Sequence, residues 1–477
     1  MDFPSARPTL VLWHGPLGFW QLYLSDAAQG VFHNRVVLLV LAGVLCVAQS
    51  ATCSAQELAS RMDQVIQDYS QRKTFMGTIL VARDGKILLD KGYGFANLEW
   101  NIPNSPATKF QIASSTKQFT AAAILLLEER GKLRVNDPVK KYLPDAPDAW
   151  DKVTIYNLLT HTSGIPNSYD GITNYRQNKT PEELVASFRN KPLDFQPGET
   201  RKYSNAGYYL LGYLIEKISG QRYGDFVRDN IFKPLGMDSS GYDSNSEVIP
   251  QRASGYHSSA SGPENSQFYD MTLRFSAGGL YSTTEDLLRW EQGLFGGKLL
   301  SSASLKKMIT PFRYDFACGL VVSVIDGHAA IEHSGEMDGF TSDLVYYPED
   351  KLTVVVLNNL SGETRSIASK LAAVAHGEKI VLPSERKEAV VAPAVIAKYV
   401  GTYYDIIPGY NVTITLEGGH LAAQTTGDTK RELLAESNTT FFQREPEGEY
   451  EFVQNDKGET TSVVYTMAGH KMTGTRR

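Results

Sequence analysis

Cysteine is nearly missing from this chain, with three in 477 residues. Cys46 and Cys53 fall in an apolar N-terminal stretch, which leaves Cys318 as the single thiol of the body of the protein. One thiol cannot form an internal disulfide, so stability has to come from core size and not from cross-links. Cys318 stands in "FACGLVV", where a cysteine is expected to be a small core residue and not a nucleophile. Concentrated basic charge is also missing. The net charge is −6 with the signs interspersed, which argues against nucleic acid as the main partner. The nine histidines contain no His-Glu-x-x-His, and Cys-x-x-Cys, a Walker loop and a Gly-x-Gly-x-x-Gly placed between strand and helix are absent, so no metal or cofactor is expected. Gly-x-Ser-x-Gly is absent as well, which argues against an α/β-hydrolase. There is no solenoid repeat and no low-complexity tract.

What is present begins with Arg35 and the apolar run Val36 to Ala48, followed by small and polar residues in "QSATCSAQE". Basic flank, short hydrophobic segment and small-residue region are the order of a secretory signal, with cleavage expected after Ala55. The run is too short to span a bilayer comfortably, so a retained anchor is the weaker reading. A secreted or periplasmic protein is expected, touching membrane only through this segment if it stays uncleaved. The first thirty or so residues precede the basic flank and do not look like a signal start. Residues 1–55 are therefore set apart from the fold.

The remaining length is large for one core. After a helix in "ELASRMDQVIQDYSQ", "GTILVARDGKILLDKGYGFAN" predicts two strands joined by Asp84-Gly85. The middle third is helical: "TPEELVASF" carries the capping signature Thr180, Pro181, Glu183, "NAGYYLLGYLIEKISG" ends at Gly220, and "STTEDLLRWEQGLF" follows. Strands return in "GLVVSVIDGHAAIEHSG" and "SDLVYYPEDKLTVVVLNN", before a helix in "TRSIASKLAAVAHG". This pattern predicts an α/β fold in which an antiparallel sheet is assembled from N- and C-terminal strands, flanked by helices, with a helical subdomain. "LPSERKEAVVAPAV" reads as a linker, and beyond it short alternating segments predict a small all-β, barrel-like domain. The expected domains are 1–55 (extension and signal), 56–385 and 386–477.

Chemistry enters at "FQIASSTKQFTAAAILLLEERG", Phe110 to Gly131. A serine before an apolar helix is ordinarily a cap. Ser-x-x-Lys is common, also occurring at Ser70, Ser304 and Ser384. On a helix, however, Lys117 lies nearly one turn beyond Ser114 on the same face, within reach of its hydroxyl. Burial would favour the neutral amine, which can accept a proton, and the helix N-terminus would favour negative charge on the oxygen. Tyr203-Ser204-Asn205 is the sole Tyr-x-Asn, and His333-Ser334-Gly335 the sole His/Lys-Ser/Thr-Gly triplet.

In this order the three motifs resemble the signature of serine β-lactamases and penicillin-binding proteins, in the branch with class C β-lactamases, D-alanyl-D-alanine carboxypeptidases, D-aminopeptidases and related esterases. "LLTHTSGIP", "YSNAGYYLLG" and "GGLYSTTEDLLRW" are similar to further stretches of that branch, over roughly Leu58 to Gly377. The resemblance implies Ser114 as nucleophile and Lys117 as its proton acceptor or electrostatic support. It implies Tyr203 as general base, donor to the leaving group and activator of the deacylating water. Asn205 would orient Lys117 and the substrate amide, cap the following helix, or both. Backbone N–H groups of Ser114 and Glu336 would form the oxyanion hole, and His333, Ser334 and Gly335 would line the substrate strand. His161 is expected to stabilise a loop and Ser115 to be a bystander.

One departure bears on substrate. Where β-lactamases of this branch usually carry lysine, His333 is only partly charged near neutral pH. Glu336 and Asp338 follow, so carboxylate substrates should be disfavoured and an amine could be received. The expectation is an amide- or ester-cleaving hydrolase, of peptidase or esterase type and not an efficient β-lactamase, acting on a small molecule or peptide. A penicillin-binding sensor or non-catalytic binding protein on the same scaffold is the alternative. Oligomeric state is left open.

Overall fold

Asp84 and Gly85 both take positive φ, +46° and +76°, the pair that a two-residue hairpin needs to match strand twist. They join strand Gly77–Arg83 to strand Lys86–Tyr93. The first of these strands is also paired, antiparallel, with Leu352–Asn358 from the far side of the sequence, from Gly77↔Asn358 to Arg83↔Leu352. Both strands of this pair are apolar almost throughout and buried, which is how a central strand covered on both faces reads. The complete sheet has six strands in the order Val321–Ile325, His328–Met337, Phe340–Tyr347, Leu352–Asn358, Gly77–Arg83, Lys86–Tyr93. This is the predicted α/β architecture, with helices Thr284–Phe295 and Thr364–His376 packed on the sheet.

This computed structural model describes residues 56–167, 174–259, 261–407 and 409–477. The segment Val36 to Ala48 and the expected cleavage after Ala55 lie outside the described residues. No helix among the described residues is long and apolar enough to cross a membrane.

The helical layer is built around Thr116–Glu129, buried from Thr116 to Leu127 on every side. A helix apolar all round belongs in the middle of a core. Phe119 packs on Trp290 with ring centres 4.1 Å apart, and Asn205–Ser219 lies alongside. The capping box of Thr180 with Glu183 forms as expected. Cys318 is fully buried, its thiol pushed up to about 12 by that burial, and behaves as core.

Residues 401–476 form a closed eight-stranded antiparallel barrel, the first strand, Gly401–Ile407, pairing with the last, His470–Arg476. Its interior is filled with side chains, including Tyr399 stacked on Phe452 at 4.2 Å. The barrel meets the sheet domain along a polar seam. Glu447 accepts from Tyr69 Oη (2.7 Å) and Lys370 Nζ (2.9 Å), while its own N–H donates to Glu363 (2.8 Å). The Gly469 carbonyl accepts from the Asp326 N–H at 3.0 Å, and His470 Nε2 lies 3.3 Å from the buried carboxylate of Glu332.

Candidate active site

Ser114 is delivered by a tight turn and not by the α-helix itself. Ala113–Ser115 is one 3-10 turn, entered through Ala113 at φ +46°, and the α-helix starts at Thr116. Ser115 is no bystander: fully buried, its hydroxyl donates to the His333 carbonyl (2.9 Å) and meets Ser342 Oγ (3.0 Å). It ties the turn to two strands, so Ser114 is held at a set distance from the strand carrying His333-Ser334-Gly335.

Lys117 and Tyr203 converge on Ser114. Lys117 Nζ is 3.0 Å and Tyr203 Oη 2.8 Å from Ser114 Oγ. Lys117 also donates to the Ala277 carbonyl at 2.7 Å, and its ammonium position lies 4.8 Å from the centre of the Tyr203 ring. Among the described residues no carboxylate compensates it: burial first, and then the charge of Arg274, hold the amine well below its ordinary range. A neutral amine beside a hydroxyl is a proton acceptor.

Tyr203 is positioned from behind by His161, whose ring lies 4.5 Å from the Tyr203 ring and 5.0 Å from Tyr208. His161 is buried at φ +58°, and its Nδ1 accepts from the Ser204 N–H at 3.1 Å. Burial keeps it neutral. Ser204 caps the next helix, accepting from the Gly207 N–H; Asn205, expected as a possible cap, is the helix's first residue, and its N–H donates to Asn167 Oδ1. The capping reading of Asn205 is therefore corrected, since the side chain one position earlier already holds the free N–H group.

Strand His328–Met337 borders the site. Its partner Val321–Ile325 ends at the Val321↔Glu332 pair, so from His333 onward this edge carries no paired strand among the described residues. Gly335 is where backbone meets backbone: a Cβ there would stand 2.2 Å from the Ile112 carbonyl oxygen and 2.9 Å from Ser114 N. Only glycine lets the strand pass so near the serine turn, which brings the Ser114 amide beside the strand that carries Glu336.

His333 is neutral and not partly charged as expected. It is buried, its Nδ1–H donates to the Ser334 carbonyl (2.6 Å), and burial pushes its pKa down to about 3. The missing cation is supplied by a residue that sequence reasoning overlooked. Arg365, exposed on the last helix of the sheet domain, donates to Ser334 Oγ through Nε (3.0 Å) and Nη2 (2.6 Å). Its only sequence signal is a basic residue in the first turn of a helix, which is no signal at all without the fold. Glu336 is exposed at the strand edge; Asp338 turns toward His257, 3.7 Å from its Nε2.

Two cavities flank this strand. One of about 310 Å³ is bounded by Ser334, Glu336 and Arg365 and, from the barrel, by Pro446, Met467 and Ala468. The other, about 630 Å³, is bounded by Met337, Asp338 and Phe340 with Gln111, Arg252 and Arg274.

The comparisons agree with this architecture. The chain belongs to the Beta-lactamase family, whose model matches residues 62–378. It is thus a member of the serine hydrolase superfamily that includes penicillin-binding proteins. Residues 385–476 match a second family, described as a domain of unknown function (DUF3471). Penicillin-binding protein 4* of Bacillus subtilis strain 168 is 30% identical over 443 residues, 86% of this chain and 97% of that protein. Among solved structures, the octameric penicillin-binding protein homologue from Pyrococcus abyssi aligns with a TM-score of 0.63 at 27% identity, over 87% of this chain and 99% of that one. A penicillin binding protein from Bacillus halodurans aligns at 0.58 and 30% identity, over 66% and 98%.

Proposed function

We propose that this protein is an exported hydrolase that cleaves amide or ester bonds through an acyl-enzyme on Ser114. The observation that carries the reading is the meeting of an amine three residues along the chain and a phenol 89 residues along it on one serine oxygen, within 3.0 Å. Ser114 Oγ attacks the substrate carbonyl carbon while its proton passes to neutral Lys117. The N–H groups of Ser114 and Glu336 stabilise the oxyanion; such donors are worth about 3 kcal/mol each. Collapse expels the amine or alcohol, which takes its proton from Tyr203. Water, deprotonated by the Tyr203 phenolate so formed, then attacks the acyl carbon and releases Ser114, whose oxygen takes its proton back from Lys117. Asn205 would orient Lys117 and the substrate amide. No step needs a metal or cofactor.

Arg365 changes the substrate expectation. A guanidinium bonded to Ser334 offers a paired-donor site for a carboxylate at the free strand edge, which offsets Glu336. Peptides ending in a free carboxylate therefore fit the cavity between Ser334, Arg365 and the barrel. With His333 neutral, weak β-lactam turnover is the reading, and peptidase or esterase activity the main one. Hydrolysis of p-nitrophenyl acetate and of D-alanyl-D-alanine peptides by the purified chain, lost in Ser114→Ala, tests it. Stoichiometric trapping of a fluorescent penicillin without turnover of any of these would instead make the protein a sensor.

A further inference from the structure

The turn Asp326-Gly327 brings His328, the first residue of the substrate-edge strand, against the end of helix Thr364–His376. That helix finishes at His376, and Gly377 at φ +83° reverses the chain, so that Glu378 comes back beside it. The imidazoles of His328 and His376 stack with centres 3.8 Å apart and planes 17° from parallel. His328 Nε2 lies 2.9 Å from Glu378 Oε1, and one donor atom from each of the three residues falls within 4.8 Å of the others. Buried Tyr347 stands edge-on to both rings, at 6.4 and 5.1 Å. Outside them, Asp350 Oδ2 sits 3.5 Å from His376 Nε2 and 3.1 Å from Arg83 Nε, while Asp350 Oδ1 is buried with no hydrogen-bond partner among the described residues.

We propose that His328, His376 and Glu378 bind a divalent cation of the zinc type, at a site separate from the catalytic centre. Two imidazoles face to face repel one another if both are protonated. If both are neutral, each keeps a nitrogen lone pair within 4.8 Å of the Glu378 carboxylate, a donor set that a cation satisfies once the stacked rings turn to face it. Two nitrogens and one carboxylate oxygen select Zn²⁺, Co²⁺ or Ni²⁺ over Mg²⁺ and Ca²⁺, which take oxygen. Metal–ligand bonds of about 2.0–2.2 Å put tetrahedral donors about 3.4 Å apart, so the widest pair closes by on the order of 1 Å. His328 and Glu378, 30% and 38% exposed at their side chains, are free to make that adjustment. Three protein ligands leave a fourth position for water. Asp350 supplies the outer carboxylate that orients a ligating imidazole.

His333 lies about 17 Å further along the strand, so the cation takes no part at Ser114. It clips the last helix of the sheet domain to the turn that also receives the barrel through Gly469. Its role is to hold the strand edge and the barrel in register.

The test uses the full chain, freed of metal with chelator and titrated with Zn²⁺ and with Co²⁺ by calorimetry and visible absorption. One equivalent should bind, Co²⁺ should give the absorption of a four-coordinate site, and melting temperature should rise on Zn²⁺ addition. His328→Asn and Glu378→Gln should each weaken binding by about tenfold or more. His420→Asn, at a surface histidine facing Glu388, should bind as wild type, and so should Ser114→Ala, which separates this proposal from the catalytic one. Absence of binding at 100-fold excess Zn²⁺, or binding that His328→Asn and Glu378→Gln leave unchanged, overturns it.

Discussion

At the scale of single residues the chain concentrates its unusual chemistry in side chains denied water. Lys117 is buried beside a serine with no carboxylate bonded to it among the described residues, so its neutral form is the one the proposed mechanism uses. Lys117→Ala should lower kcat/KM for an ester by about a thousandfold, the middle of the range for a positioned general base, with the fold intact by circular dichroism. Lys117→Arg, permanently charged, should not rescue it. Because protonation removes the acceptor, kcat/KM should fall on the acid side of its profile. Arg365 carries a second prediction. Arg365→Ala should raise KM for peptides with a free C-terminal carboxylate by about thirtyfold, the worth of one charge-assisted bond pair near 2 kcal/mol. The same peptides as C-terminal amides should be nearly unaffected. Equal losses on both would remove Arg365 from substrate recognition.

At the scale of elements, the serine turn and the substrate strand work as one piece because Ser115 and Gly335 let them touch. Gly335→Ala forces a methyl against the Ile112 carbonyl oxygen at 2.2 Å and should cost about 1–3 kcal/mol in urea unfolding, with loss of activity. Much of this scale was legible beforehand. Asp84-Gly85 announces its hairpin because two positive φ values admit few residues, and Thr180 with Glu183 announces its helix because a capping box is local. The three motifs were legible through their resemblance to a family in which they recur in this order, and the fold brings Ser114, Lys117 and Tyr203 together. What was not legible depends on burial and on long-range approach. Nothing near His333 in sequence says that it will be fully enclosed, and nothing at Arg365, 31 residues after Ser334, says that it will return to that hydroxyl. Enclosure also sets an acid limit. His161 and His333 are neutral in the fold and titrate near 6.5 when unfolded, so the unfolded chain binds more protons as pH drops below 6.5. Stability should fall progressively from pH 6.5 toward pH 3, and His333→Asn should flatten that slope in urea titrations. His470, raised by Glu332 although burial opposes it, works in the opposite sense, its contribution being lost as pH rises through its folded value.

At the scale of the whole molecule the barrel is a wall of the site and not a passenger. Its Pro446, Met467 and Ala468 face Ser334, Glu336 and Arg365 across about 310 Å³, and the same edge is anchored by Glu447, Gly469 and His470. A wall so anchored would select by size on the side where Arg365 would take a carboxylate. Ala468→Trp adds most of an indole to that space without altering any residue that reaches Ser114. Activity on p-nitrophenyl acetate should therefore stay within about twofold, since the acetyl group and the oxyanion donors do not extend there. Hydrolysis of peptides should fall by about tenfold or more, because remote binding energy that positions the scissile bond is lost together with the pocket. If ester and peptide rates fell in parallel, the barrel would be acting on the serine turn itself. If neither changed, substrates would have to enter through the cavity beside Met337 and Phe340, and the barrel would serve stability alone.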